Sequence, residues 1–396
     1  MDFSDSPAEA AFRSEARAFL EEHAPSIAMV DYTDDQYDDD ELFRRAKDWQ
    51  RTQYEHGWMG IAWPKAHGGR GLGPIEQIIW SQECARVGVG ESLFVVGVGM
   101  VGPTLIAHGS DEQRERFLDP MLSGDEVWCQ LFSEPGAGSD LAALATRAEP
   151  DGDDWIVSGQ KTWCSGAHYA RWGILLARTD PKVPKHQGIT FFVVDMKSPG
   201  VEVRPLLQMN RGSHFNEVFL NEVRIPDANR VGEVGSGWKV AMTTLMSERM
   251  SMGGFDRMFS FDDFLEHAKQ HAGRVDDVLR DEIGLLYCQL KEVELLNASV
   301  ITQLSRGKLA VAESSVMKLA IARMISKAAE LGIRLEGPGG MARRGFWQNL
   351  FLMAPALHIA GGTDEVQKNI CAERVLGLPR EVSNDKELPF EELPRS

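Results

Sequence analysis

Gln130–Ser139 reads QLFSEPGAGS, and Gly159–Ala167 reads GQKTWCSGA. The first stretch is a Gly-rich turn behind the apolar approach Gln130-Leu131-Phe132, with hydroxyls at Ser133 and Ser139. Successive backbone N–H groups in such a turn, Gly138 among them, can cradle an anion. The second stretch offers one aromatic plate, Trp163, and a hydroxyl two residues on at Ser165. On a strand those two side chains share a face. A planar, redox-active ring that needs one face covered and its edge hydrogen-bonded suits this set.

Outward from these stretches the pattern is of strands. DWIVSGQKTW, WGILLARTD, GITFFVVDM, GVEVRPLL and NEVFLNEVRIP are rich in β-branched residues and separated by turn residues. They predict a small antiparallel sheet or barrel over about Gln130 to Asp227. On the N-terminal side the signals are helical. Ser6-Pro7-Ala8-Glu9 reads as a capping box with Pro at the first helical position. Phe12, Ala16, Phe19 and Leu20 keep helical spacing behind it, and further helical patterns run through Glu41–Gly57, Pro74–Val87 and Asp111–Leu122. The acidic run at Asp31–Glu41 reads as a solvated loop. After Gly237 helices return over Trp238–Lys269, Val278–Leu304, Glu313–Leu335 and Asp364–Val375. The order predicts an α+β chain of three domains: 1–125 α-helical, 126–235 an antiparallel β-barrel, and 236–396 a four-helix bundle.

Composition narrows the function classes. The chain has 396 residues, 43% hydrophobic and 26% charged, with a formal net charge of −17. Such a negative chain argues against nucleic acid and anionic membranes as partners. An anionic substrate must then find local arginines or helix N-termini. Five scattered cysteines argue against a disulfide framework or a metal site. No apolar run approaches the ~20 residues of a spanning helix. The acidic N-terminus lacks a signal pattern, which predicts a cytoplasmic location.

Gly97-Val98-Gly99-Met100-Val101-Gly102 fits the spacing of a dinucleotide-binding turn. That motif needs a helix directly after it and then a second parallel strand, whereas Pro103 follows the last glycine and His108-Gly109 stops the segment. The reading that remains is a close-packed glycine helix face.

Between Val240 and Phe255 the sequence is VAMTTLMSERMSMGGF. Glu248 and Arg249 are its only charges, set among Met242, Leu245, Met246, Met250 and Met252. A helix apolar nearly all round is usually buried, and charges within one have a partner or a task. Successive residues point about 100° apart, so the two do not face each other. A structural ion pair with other residues and a catalytic carboxylate are both open from the pattern alone.

The stretches at Gln130 and Gly159 resemble the flavin-binding motifs of acyl-CoA dehydrogenases, and the resemblance runs from about Phe3 to Glu381. It implies FAD as cofactor and α,β-desaturation of an acyl-CoA thioester, a step of β-oxidation. A base takes the α proton, flavin N5 takes the β hydride, and hydrogen-bond donors hold the thioester oxygen. By position, Gln130, Phe132 and Ser133 would line the ring or its pyrimidine edge, and Ser139 the flavin phosphate or the pantetheine. Trp163 would cover the ring and Ser165 would bond near N5. Thr363 and Glu365 fall in the stretch after the base loop that contacts flavin.

Many relatives carry the catalytic Glu in a Tyr-Glu-Gly-Thr segment. This chain reads Ala360-Gly361-Gly362-Thr363, with Gly361 at the Glu position. In the isovaleryl and long-chain branches the base precedes a family arginine on the bundle helix, which implies Glu248 as base and Arg249 as that arginine. The Gly361 N–H would still hold the thioester oxygen, and Gly361 frees space for a branched acyl group. Arg249, Gly362 and Ser139 are the substrate-side residues implied. An electron-transferring flavoprotein is the implied acceptor, and a homodimer or homotetramer the implied assembly. The family's Arg-x-x-Phe-Gly segment has no counterpart in His271–Gly284, where Arg274 or Arg280 are the candidates to replace it. The alternatives are a flavin monooxygenase or nitroalkane oxidase on the same fold, and a non-catalytic partner subunit of a heteromeric enzyme.

Overall fold

A computed structural model describes residues 5–25, 39–89, 94–251, 259–305, 311–342, 345–380, 385 and 387–393. In chain order the elements are α1 (Pro7–His23), α2 (Asp39–Glu55), α3 (Pro74–Arg86), a π-helical turn (Val96–Val101), α4 (Gly102–His108), α5 (Asp111–Leu122), β1 (Trp128–Leu131), β2 (Arg147–Asp151), β3 (Asp154–Lys161), β4 (Trp172–Arg178), β5 (Ile189–Asp195), β6 (Val201–Pro205), β7 (Asn216–Pro226), β8 (Arg230–Val231), α6 (Gly237–Ser251), α7 (Phe261–Gln270), α8 (Asp277–Ser305), α9 (Val311–Glu336), α10 (Pro338–Ala342), α11 (Phe346–Leu357) and α12 (Asp364–Ile370). They fall into two compact units. One comprises Met1–Arg45, Leu72–Glu91 and Met252–Arg380; the other Ala46–Gly71, Ser92–Ser251 and Glu381–Ser396.

In the helical unit, the Ser6 box forms as its spacing predicts: the Ser6 N–H donates to Glu9 Oε2 at 2.6 Å, and the Glu9 N–H to Ser6 Oγ at 3.3 Å. The Phe19 and Trp80 rings join α1 to α3 at 5.9 Å. Beside them Glu83, with a side chain 3% exposed, takes three guanidinium groups, from Arg13, Arg17 and Arg86. The Arg17 hydrogen bond is the largest influence on its carboxyl, and with Arg86 and Arg13 it outweighs burial and holds the group down at about 2. Helix α9 is the bundle's axis, with α7, α8, α11 and α12 packed around it. Its Met324, Ile325, Ala328, Ala329, Leu331 and Leu335 are fully buried. Gly332 lets Trp347 lie flat on α9; a Cβ there would stand 2.3 Å from the indole.

In the sheet unit the strand order is β6-β7-β3-β2-β4-β5-β8, with β1 beside β4. The pairings are antiparallel except β1/β4 and β2/β4, which are parallel. Strands β4 and β5 are buried almost throughout because both faces are covered. Ile174 and Leu176 face one core with Phe117, Leu122 and Val240, whereas Leu175 and Ala177 face the other with Val157 and Val223. Burial of Phe191 and Phe192 on opposite faces contributes about 1.5–3 kcal/mol each.

The Gly97–Gly102 stretch is helical, not a strand-turn-helix. Gly102 opens α4, and a Cβ there would lie 1.8 Å from the Trp63 ring. The predicted helix Trp238–Lys269 is two helices, α6 and α7, and residues 252–258 lie outside the described residues. Nor is α6 buried all round: Val240, Ala241 and Thr244 are buried, while Met246 is exposed. It packs on the π-helical turn, α4 and β5, within the sheet unit.

The last described residues dock on the β4–β5 loop. The Phe390 N–H donates to the Val183 carbonyl and the Glu391 N–H to the Pro181 carbonyl, both at 3.0 Å. The Arg178 guanidinium stands 3.6 Å from the centre of the Phe390 ring. Lys185 Nζ bridges Asp140 at 2.7 Å and Asp385 at 2.5 Å.

Candidate functional site

Two buried charges join the Gly-rich turn to the Trp163 segment. Lys161, the last residue of β3, is fully buried. Its Nζ donates to Glu134 Oε1 at 2.7 Å and to the Phe132 carbonyl at 3.0 Å. Glu134 also accepts from the Ala145 N–H at 2.7 Å and the Thr146 N–H at 2.9 Å. Burial pushes the Glu134 carboxyl up, but Lys161 and these donors bring it below its usual range. Burial also draws the Lys161 ammonium down, and Glu134 opposes that shift. One residue on, the Thr162 N–H donates to the Ser133 carbonyl at 2.9 Å. Two segments about thirty residues apart in sequence therefore form one hydrogen-bonded surface.

Trp163 does not stand on a strand. β3 ends at Lys161, and Trp163 has φ +60°, so the expected strand face shared with Ser165 is not formed. The chain is turned out of the ladder by Asn216. The Cys164 N–H donates to the Asn216 carbonyl at 3.0 Å, while Asn216 Nδ2 donates to the Cys164 carbonyl at 2.9 Å. A left-handed Trp is strained, and such strain gathers at functional sites. Trp163 is 62% exposed, and its ring meets the Phe215 ring edge-on at 5.8 Å. Ser165 is exposed nearby, and Cys164 behind it is an inert packing thiol, pushed by burial up to about 12.

The site residues on the turn follow the same logic. Phe132 is buried, Gln130 and Ser133 are half-buried, and Gly138 and Ser139 are exposed. Glu134 and Ala137 exchange backbone hydrogen bonds at 3.0 Å and close the turn. A Cβ on Gly136, Gly138 or Gly166 would meet nothing within 4 Å, so the backbone is open to a ligand. An exposed aromatic plate, free hydroxyl-bearing residues and an open glycine backbone fit a flavin nucleotide.

Glu248 lies half-buried near the end of α6, four residues beyond the buried Thr244 and hence on the same side of the helix. Hydroxyl contacts fix the register of α6 on α4. Thr244 Oγ1 is 2.9 Å from Thr104 Oγ1, and His108 Nε2 is 2.8 Å from Thr243 Oγ1. Burial, with Lys239 adding to it, holds the His108 imidazole below its usual range. The side chain of Arg249 lies outside the described residues.

Gly361, Gly362, Thr363 and Glu365 belong to the helical unit, in the link from α11 to α12 and the first turn of α12. Gly361 and Gly362 have φ +64° and +89°. Gln367 Nε2 donates to the Gly361 carbonyl at 2.8 Å, and a Cβ on Gly362 would stand 2.7 Å from that nitrogen. Thr363 caps α12, its Oγ1 accepting from the Val366 N–H at 3.2 Å. Glu365 faces solvent, 3.8 Å from Lys368. Of the candidates for the adenine end, Arg274 is committed to the Leu335 and Glu336 carbonyls at the end of α9. Arg280 is exposed and pairs with Asp277 at 3.3 Å. Sequence reasoning missed Lys161, Glu134 and Asn216 as organisers of the site. The one signal was charge or amide at positions beside apolar strand residues.

Comparison with known proteins gives consistent matches along the chain. It fits the profiles described as acyl-CoA dehydrogenase N-terminal domain over residues 6–125, middle domain over 129–223 and C-terminal domain over 235–376. It is 41% identical over 326 residues to acyl-CoA dehydrogenase FadE34 of Mycobacterium tuberculosis, covering 82% of this chain and 45% of that protein. It is 35% identical over 378 residues to acyl-CoA dehydrogenase IpdE1 of the same organism, covering 93% and 98%. The chain therefore spans less than half of the first relative and nearly all of the second. Among solved structures, the steroid ACAD Tcur3481-Tcur3483 superposes with TM-score 0.83 at 29% identity, covering 96% of this chain and all of that one. The ChsE4-ChsE5 complex from Mycobacterium tuberculosis gives 0.80 at 28% identity with the same coverage.

Proposed function

The chain belongs to the acyl-CoA dehydrogenase family, and we propose that it desaturates an acyl-CoA thioester between the α and β carbons with FAD as cofactor. The observation that carries this reading is the exposed, left-handed Trp163 beside the Lys161–Glu134 clamp. A bare indole held in a strained backbone is explained by a planar ligand that covers it. Gln130, Phe132, Ser133, Gly138, Ser139, Trp163 and Ser165 would hold the flavin, with Thr363 and Glu365 contributing from their own unit. FAD, when bound, supplies an acceptor for the β hydride at N5.

Glu248 would take the α proton, and the thioester makes that proton removable by spreading charge onto its oxygen. The Gly361 N–H would hold that oxygen as it gains charge. Arg249, Gly362 and Ser139 would face the substrate. An entering acyl chain that desolvates Glu248 would strengthen it as a base. The lack of a side chain at Gly361 favours a bulky acyl group, and the neighbour named as a steroid ACAD points the same way. An electron-transferring flavoprotein is the acceptor this reading expects. A homodimer or homotetramer is the simplest assembly, because one chain holds both a base and the flavin segments. A second reading, a chain that works beside a different chain, is favoured by the paired names of two structural neighbours.

The test is anaerobic flavin bleaching by a panel of straight-chain, branched and steroid-derived acyl-CoA esters. Wild type should bleach with at least one ester and reoxidise slowly in air. Glu248→Gln should stay yellow and fail to bleach. A Glu248→Gln protein that bleaches at the wild-type rate refutes the base assignment. Purified alone, a colourless wild type would favour the two-chain reading.

A further inference from the structure

The link between α11 and α12 is closed by more than its backbone. The Asp364 N–H donates to the His358 carbonyl at 3.0 Å, and His358 Nδ1 lies 2.8 Å from Asp364 Oδ2. Residues 358 and 364 are thus tied twice, and Gly361 and Gly362 sit on the span between them. The other ring nitrogen, His358 Nε2, is 2.9 Å from Ser326 Oγ on α9. Asp364 Oδ1 accepts from Lys318 Nζ at 3.0 Å, also on α9. An ionised carboxylate only accepts, so Nδ1 carries the proton toward Asp364. Nε2 of a neutral ring then accepts from the Ser326 hydroxyl. The imidazole therefore pins the loop to the bundle axis at a fixed depth and orientation. Gln367 adds a second restraint by gripping the Gly361 carbonyl, and in a trans peptide the Gly362 N–H then points the opposite way.

We propose that His358 is a positioning residue for the Gly361–Gly362 loop: bridged between Asp364 and Ser326, it sets where the loop N–H groups meet the thioester oxygen. The proposal rests on the reading above that Gly361 holds that oxygen. Two glycines at positive φ have little stiffness of their own, so their placement depends on the ties at each end. Without the ring, Asp364 keeps Lys318 and α12 keeps its Thr363 cap, so the helices persist while the loop relaxes.

The experiment measures anaerobic flavin bleaching by the best acyl-CoA, with wild type, His358→Ala, His358→Asn and Ser326→Ala. The limiting rate of His358→Ala should fall about tenfold to a hundredfold, the loss expected from a displacement of about 1 Å. Its apparent acyl-CoA affinity should stay within about threefold, since the loop N–H acts on developing charge rather than on ground-state binding. His358→Asn, which restores a donor toward Asp364, should recover part of the rate. A 3-arylacryloyl-CoA bound to wild type should absorb to the red of the free ester as its carbonyl is polarised, and His358→Ala should lose most of that shift. A purely structural histidine would leave rate and shift unchanged in protein that folds. If His358→Ala does not fold, Ser326→Ala, which removes one partner, should still lower the limiting rate several-fold. Wild-type rates and shift in the folded variants would overturn the proposal while leaving the desaturation reading intact. Failure of wild type to bleach with any ester would sink both. Free CoA thiol released by wild type and lost in Ser326→Ala would also overturn it, showing Ser326 to be a nucleophile.

Discussion

Replacing Lys161 with Met tests whether one buried charge organises the proposed flavin surface. Lys161 is fully buried and Glu134 is 9% exposed, with 2.7 Å between ammonium and carboxylate. Removing one partner of such a pair strands the other charge, which costs about 3–5 kcal/mol. Glu134 retains the N–H groups of Ala145 and Thr146, so the loss should lie near the lower end, about 3 kcal/mol. Methionine fills nearly the same volume, so a cavity contributes little. Urea unfolding followed by far-UV circular dichroism would show the midpoint falling with the slope unchanged. The ratio of flavin to protein absorbance after gel filtration would fall alongside, because the Phe132 carbonyl and the turn lose their common anchor. Glu134→Gln in the Lys161→Met background should cost less than it does alone, since the stranded charge is gone. A Lys161→Met protein within about 0.5 kcal/mol of wild type, or strict additivity in the double variant, would refute the clamp.

Glu83 makes acid stability readable. Its folded pKa is depressed, so its contribution is complete above the unfolded carboxylate range and lost as pH falls through about 2. Melting temperature should therefore drop between about pH 4.5 and 2, with about 2–3 kcal/mol lost, and Glu83→Gln should be less stable at neutral pH and flatter in that window. An unaltered profile in the variant would contradict the assignment. Gly102→Ala should lower the melting temperature by the equivalent of about 1–3 kcal/mol, because its Cβ falls inside the Trp63 ring; an unchanged melting temperature would show that α4 slides freely.

The sequence made legible what local chemistry decides. The Ser6 box, the cores of β3, β4, β5 and β7, and the helical nature of the glycine stretch at Gly97 follow from spacing and turn residues. β1 was not legible, since its four residues pair only by lying beside β4, distant in sequence; β2 was missed although the Asp151–Asp154 pairing joins it to β3 in a tight hairpin through Gly152. α11 was missed because FWQNLFLMAPAL has little polar alternation and carries Pro355. The candidate residues around Trp163 were legible as a set, but not how they are held. The conformation of Trp163 depends on Asn216, and the turn depends on Lys161, neither of which any periodicity reveals. His358 stood in plain sight beside Gly361, yet its role needs Ser326, thirty-two residues upstream on another helix.

The sheet unit is drawn from three stretches of chain, with all of 252–380 inserted between the second and the third. During synthesis, the piece carrying Phe390 leaves the ribosome only after the helical unit has been made in full. The β4–β5 loop, with Arg178 and Lys185 awaiting their partners, must then wait to be covered until the segment after residue 380 has been made. A gene split after residue 251 would yield a first fragment lacking that cover, and reassembly from two co-expressed halves should work better than folding of either half alone.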